Sequence, residues 1–219
     1  MKRFLDIILS FLAIAVLAPL LLPVIVILRF TGEGEIFYIQ ERAGLEGKSF
    51  GLYKFATMLK NSPNIGTGEI TIQGDSRVLP FGKFLRKTKL NELPQLWNIF
   101  IGDMSLVGPR PMVLNTYTHY PEEAREKLNT IRPGLTGIGS IFFRDEERYL
   151  ANRDEPMKFY REHIIPYKID LELWFVENNT LWLYIKIIFV TSWVVIFPSS
   201  TIADKVFIGI PRKPESLLK

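Results

Sequence analysis

Apolar positions crowd the two ends of the chain and thin out between them. From Phe4 to Leu28 the run is broken only by Asp6, Ser10, Pro19 and Pro23. About 20 such residues cross a bilayer as a helix. Two features complicate a simple span. Each internal proline removes a backbone donor and crowds the preceding turn. Lys2 and Arg3 precede the run and Arg29 follows it, so no charge asymmetry orients a spanning helix. The residues alone leave two forms open: a proline-kinked helix that spans, and a helix that breaks near Pro19 and leaves by the face it entered. Asp6, inside the run, is expected to pair with Arg3 or with interfacial groups.

Between residues 32 and 173 the pattern is that of a folded globular body. Ile36 to Glu41 alternates without choosing a face and reads as strand and loop material. Residues 61–75 carry Gly, Pro, Asn and Ser and read as a loop. Gly82 to Lys89 is basic, with Lys83, Arg86, Lys87 and Lys89 set among Leu85 and Leu90, and suits a helix beside an anionic surface. Tyr120 to Lys127 is charged and helical in character. From Trp174 to Phe197 the chain turns apolar and aromatic again. Glu177 to Thr180 interrupts it, so helices that pack on the body and lie in the interface are expected. Residues 199–219, with Pro211 and Pro214, form a peripheral tail. The expected class is therefore α/β, mostly helical with a small sheet. Its units are a membrane helix at 1–31, a domain with interfacial helices at 32–198, and the tail.

Composition narrows the chemistry. The 219 residues carry a net charge of +4 and no cysteine. Disulfides and thiolate metal sites are excluded. The basic excess suits anionic lipids or substrates, and with no long Lys/Arg run nucleic acid is not an expected partner. There is no internal repeat, Walker loop or dinucleotide fingerprint. His119 and His163 are isolated and make no metal set.

The stretch Leu90-Asn91-Glu92-Leu93-Pro94-Gln95-Leu96, continuing through Gly102-Asp103-Met104-Ser105 to Gly108-Pro109-Arg110-Pro111, concentrates the candidate chemistry. Flanking prolines hold Arg110 extended, and a guanidinium fork suits carboxylate or phosphate. Taken locally, a helix, a turn and a surface arginine explain the same residues. The whole block, however, resembles the signature of the bacterial sugar transferases, the small monotopic phosphoglycosyl transferases. The resemblance extends to Gln40, Arg42, Gly44, Gly47 and Phe50, and to Arg132-Pro133-Gly134-Leu135-Thr136-Gly137.

The resemblance implies a monotopic membrane protein with an N-terminal re-entrant helix broken at Pro19. It implies transfer of a sugar-1-phosphate from a UDP-linked sugar to a polyprenyl phosphate, undecaprenyl phosphate in bacteria, with release of UMP. This would be the first membrane step of glycan assembly, at the cytoplasmic face of the bacterial inner membrane. It brings Mg²⁺ as cofactor and membrane lipids as surroundings, and a homodimer is compatible with it. Carried over residue by residue, Lys54, Arg86, Arg110 and Arg144 fall on phosphate-binding positions, and Asn91 and Glu92 on the catalytic, metal-holding pair. The sequence departs from the family where it matters most. The family pair is Asp-Glu with Asp as nucleophile, whereas here it is Asn91-Glu92. The family's Ser-Pro break is Ala18-Pro19, and a common family acid falls on Tyr184. Glu92, or an acid from Asp145-Glu146-Glu147 beside Arg144, is the candidate to compensate. The alternative is a catalytically silent relative that binds lipid and nucleotide sugar and scaffolds a glycan-assembly complex.

Overall fold

A computed structural model describes residues 1–65, 74–118, 120–144, 146–150 and 153–217. The N-terminal apolar run forms one helix, α1 (Lys2–Phe30), of 29 residues, which at 1.5 Å per residue is about 43 Å long. Helical backbone continues through Pro19 and Pro23, so the expected break at Pro19 does not appear as a break in the helix. The physical reason lies in packing on both sides of it. Ala13, Ile14 and Leu17 sit on a cluster with Leu52, Leu96, Ile99 and Met104. Leu21, Val24, Ile25 and Leu28 sit on Phe55 and Leu85. A stripe at helical spacing therefore docks on the globular body along most of α1. The other faces expose Phe4, Phe11, Leu12, Val16, Leu20, Leu22 and Val26.

Three polar residues at the start of α1, Lys2, Arg3 and Asp6, serve the same docking. Arg3 donates to Ile99 O (2.6 Å) and Phe100 O (2.9 Å), satisfying carbonyls at the negative end of α3 (Gln95–Ile101). Lys2 Nζ donates to Asn179 O at 2.6 Å. Asp6, 2% exposed, does not pair with Arg3 as expected. Its Oδ1 accepts from the Ser105 hydroxyl (2.9 Å), the Leu106 N–H (2.8 Å) and the Tyr184 hydroxyl (2.6 Å). The α3 carbonyls take the guanidinium, and neutral donors satisfy the buried carboxylate.

Two small sheets complete the α/β class. Strands β1 (Phe37–Ala43) and β2 (Ser49–Phe55) form an antiparallel hairpin with Tyr38 opposite Lys54. Strands β3 (Ser105–Val107) and β4 (Gly134–Thr136) pair in parallel. Here the main chains approach too closely for side chains: a Cβ on Gly134 would lie 2.1 Å from Gly108 N. That contact fixes the start of the Gly-Pro-Arg-Pro loop. The basic segment is α2 (Pro80–Lys87), ending in Arg86 and Lys87. Short helices α4 (Leu114–Tyr117), α5 (Glu122–Leu128), α6 (Ile138–Phe142) and α7 (Glu146–Leu150) follow. Helix α8 (Pro156–Phe159) runs through a π-helical turn, Tyr160–Ile164, into α9 (Ile165–Glu177).

The apolar C-terminal stretch is divided where the sequence suggested. Helix α9 ends before Asn178, and the Thr180 side chain caps α10 (Leu181–Ile196) by accepting from Leu183 N. Leu183, Ile187, Val190 and Val194 bury one face of α10 in the main core. Trp182, Phe189, Trp193 and Ile196 are exposed on the other. Among the described residues, α1 alone is both long and apolar enough to cross a membrane.

Candidate active site

One cavity of about 1430 Å³ opens beside α2 and the end of α1 at Leu28, and every candidate site residue of the globular body lines it. Lys54 comes from β2, Arg86 from the end of α2, Asn91 and Glu92 from a single 3-10 turn, Leu90–Glu92. Arg110 comes from the stiff loop after β3, and Arg144 follows α6. Pro19, the remaining candidate, lies on α1 away from the cavity lining.

The turn at Asn91 starts from Lys89, whose φ of 61° is left-handed. Leu93-Pro94 then opens α3, so the turn cannot extend as a longer helix and its side chains face the cavity. Glu92 Oε1 accepts from Arg110 Nη2 at 3.3 Å. Burial on its own would raise the Glu92 carboxyl. The charges of Arg110, Lys54 and Lys89 overcome that and hold it at about 2. Glu92 is thus a fixed anion, and it in turn raises Arg110. Lys54 goes the opposite way. Loss of water brings its ammonium down to about 7; Glu92 opposes the shift, while Arg42, Arg110 and Arg86 add to it. Arg42, whose Nη1 donates to Pro111 O at 3.0 Å, supports the same loop from behind. Arg86 rests its guanidinium against Met58 Sδ at 3.9 Å. Arg144 reaches the Val194 carbonyl at the end of α10, and so joins the cavity to the apolar C-terminal helix.

Asn91 is 7% exposed, and its Oδ1 has no hydrogen-bond partner among the described residues. A buried acceptor without a donor invites a cation or a donor from a ligand. No group of three or more His, Asp or Glu among the described residues forms a metal cage. Mg²⁺ does not need one, since it keeps several waters and binds through one or two carboxylates plus substrate phosphates. An ionised Glu92 beside the orphaned Asn91 carbonyl fits that mode.

The structure also brings one acid that the sequence offered, Glu146, together with two residues that sequence reasoning passed over, Lys168 and Glu172. From the acid run, Glu146 enters the cavity and is held by Lys168 Nζ at 2.6 and 2.7 Å. Asp145 and the side chain of Glu147 lie outside the described residues, as does His119. Glu172 is 5% exposed; its Oε1 accepts the Arg110 backbone N–H at 3.3 Å, and its Oε2 has no partner. Burial pushes Glu172 up to about 7 against the pull of that bond and of Lys168 and Arg110. Lys168 and Glu172 lie four residues apart on α9, among Ile165, Ile169, Leu171 and Phe175. Charges at helical spacing inside an apolar helix were the available signal.

Tyr184 is a different matter. It does not line the cavity; it is 1% exposed in the main core and donates to Asp6. An acid missing at that position is missing from a structural contact between α10 and α1.

A fixed carboxylate, a cluster of cations and a neutral amide within one cavity can receive a phosphorylated ligand. The chain belongs to the bacterial sugar transferase family, whose profile matches residues 1–198. Among its relatives is the UDP-N-acetylgalactosamine-undecaprenyl-phosphate N-acetylgalactosaminephosphotransferase of Aeromonas hydrophila. The two are 32% identical over 192 residues, 87% of this chain and 42% of the relative. The UDP-glucose:undecaprenyl-phosphate glucose-1-phosphate transferase of Xanthomonas campestris pv. campestris is 32% identical over 194 residues, 87% of this chain and 38% of the relative. The exopolysaccharide production protein ExoY of Sinorhizobium fredii is 38% identical over 162 residues, 68% of this chain and 71% of the relative. The chain thus spans about two fifths of the length of the first two relatives.

Proposed function

We propose that this protein transfers a sugar-1-phosphate from a UDP-linked sugar to undecaprenyl phosphate at the cytoplasmic face of the bacterial inner membrane, releasing UMP. The observation that carries the reading is the convergence of Lys54, Arg86, Asn91, Glu92, Arg110 and Arg144 on one cavity. Phosphoryl transfer asks a protein chiefly for positioning and charge stabilisation. Lys54, Arg86 and Arg110 bind the donor diphosphate, with Arg110 offering a fork that two prolines hold in place. Glu92 and Asn91 Oδ1 would hold Mg²⁺, which when bound neutralises diphosphate charge. A bond forms from an attacking oxygen to the sugar-bearing phosphorus as the bond to the bridging oxygen breaks, and UMP leaves with that oxygen. An Asn91 amide is a far poorer nucleophile than a carboxylate. The attack therefore falls to Glu92 or to the acceptor phosphate itself.

The membrane placement follows from α1. A helix docked along its length on the same globular body cannot cross a bilayer without carrying that body with it. Its exposed faces suit an unbroken helix lying in one leaflet, on the same side of the membrane as the globular body. The test of activity is UMP release from a panel of UDP-sugars with undecaprenyl phosphate and Mg²⁺. Acceptor-dependent release is expected. Intact UDP-sugar binding with no turnover across the panel would point instead to a silent binding protein.

A further inference from the structure

The cavity is chemically divided, and the transferase reading uses only one part of it. Lys54, Arg86 and Arg110 make one end cationic. Next to it, Glu146, Lys168, Glu172, Ser140 and Tyr160 line a stretch of mixed charge. The two meet at Arg110, which feels the charge of both Glu92 and Glu146. In the second stretch Lys168 is 9% exposed and closes on both oxygens of Glu146. Two polar atoms there have no partner among the described residues: Glu172 Oε2, on a side chain 5% exposed, and Ser140 Oγ. A polar group left without a partner in a buried place costs free energy until a ligand or water satisfies it. The ring of Tyr160 adds an aromatic face beside Lys168 Nζ, 5.3 Å from its centroid.

We infer that this stretch is the sugar-recognition subsite, and that Glu146, Lys168 and Ser140 set which neutral hexosyl group the donor carries. The inference rests on the transferase reading. A phosphate is repelled by Glu146 and Glu172, and a lipid chain leaves all of these polar groups unsatisfied. A neutral polyhydroxyl ligand suits them: its hydroxyls donate to carboxylates and accept from the ammonium, and its C–H face packs on an aromatic ring. Sites built to hydrogen-bond a hydroxyl discriminate strongly, because the wrong ligand leaves buried groups unpaired. Gly139 fits the same picture. A Cβ there would come within 2.4 Å of Glu172 Oε1, so glycine lets the carboxyl sit at the wall.

The test separates sugar from nucleotide. Calorimetry gives the affinity for UDP and for a panel of UDP-sugars, for the wild type, Glu146→Gln, Ser140→Ala and the double variant Glu146→Gln/Lys168→Met. The double variant removes both members of the Lys168–Glu146 pair together, so neither is left as an unpaired charge. We expect UDP affinity to stay within about twofold, while the ratio of UDP-sugar to UDP affinity falls about tenfold or the order of preference among sugars changes. Ratios and preferences unchanged in all the variants overturn the subsite. So does a loss of UDP affinity equal to the loss of UDP-sugar affinity, which would assign these residues to the nucleotide or to the fold. A wild type that binds no UDP refutes the donor reading itself, a separate result.

Discussion

The Lys54 ammonium, brought down to about 7, makes donor binding pH-dependent in a direction that can be worked out. Below that value Lys54 is a cation and joins Arg86 and Arg110 on the diphosphate. Above it, the free protein holds a neutral amine, and binding an anion must first recover the proton. The diphosphate of a UDP-sugar carries no second ionisation near neutrality, so the protein alone supplies the titration. For one such group, affinity falls tenfold per pH unit once pH exceeds its free-state value. From about pH 6 to about pH 8.5 the dissociation constant should rise about 30-fold, or ~2 kcal/mol. Calorimetry in two buffers of different ionisation heat should show about one proton taken up per donor bound at the upper end. Lys54→Ala should bind weakly at every pH and lose the slope. A flat affinity in the wild type, or the same slope in Lys54→Ala, would refute the assignment of Lys54 to the diphosphate.

Glu92→Gln should abolish turnover, and Asn91→Asp should keep or raise it. Intact-mass spectrometry with donor alone tells whether a sugar phosphate becomes attached to the protein, and the absence of both that adduct and a stoichiometric burst of UMP without acceptor would exclude that route. Arg110→Lys should weaken UDP-sugar binding by about tenfold, since an ammonium cannot reproduce the fork; calorimetry showing unchanged affinity removes Arg110 from the site. Tyr184→Phe should cost about 1 kcal/mol in a detergent-solubilised melt and Asp6→Ala about 3 kcal/mol, because the second leaves buried donors without an acceptor. The chain has no cysteine, so one introduced near position 2 reports topology. It should react from the side that bears the globular body, and labelling only from the opposite side would refute the placement of α1 in one leaflet.

Local pattern was enough to locate the long apolar helix, the basic α2 and the division at Asn178-Asn179-Thr180, whereas the candidate residues around the cavity came from the resemblance to the family. Each of the former announces itself within a few positions. What was not legible depends on partners far apart in sequence. Asp6 meets Tyr184, 178 positions away, and no neighbour of either residue signals the contact. Without it, Tyr184 reads as a lost acid rather than as a core hydroxyl. Glu172 supports Arg110 across 62 positions, through a backbone N–H that any residue would possess. The unbroken course of α1 through Pro19 has the same origin. Proline chemistry predicts a local break, and a packing stripe on both sides of the proline outweighs it.

These long-range contacts share a consequence for how the site is held. Asp6 accepts from Ser105 and Leu106, the opening residues of β3. That strand runs directly into Gly108-Pro109-Arg110-Pro111. Gly108 is pressed against Gly134 with no room for a Cβ, and Pro109 O accepts from Gly134 N at 2.8 Å. Glu172 fixes the Arg110 backbone from one side, and Arg42 fixes Pro111 from the other. The guanidinium is therefore positioned by a chain of contacts that begins on the apolar helix. A helix that floated freely in lipid would leave the height of Arg110 above the bilayer undetermined. Tying Asp6 to β3 removes that freedom, so the position of the apolar helix and the position of Arg110 are set together. If the proposed transfer is right, this coupling would bring the donor-binding cations to the height of an acceptor phosphate at the membrane surface.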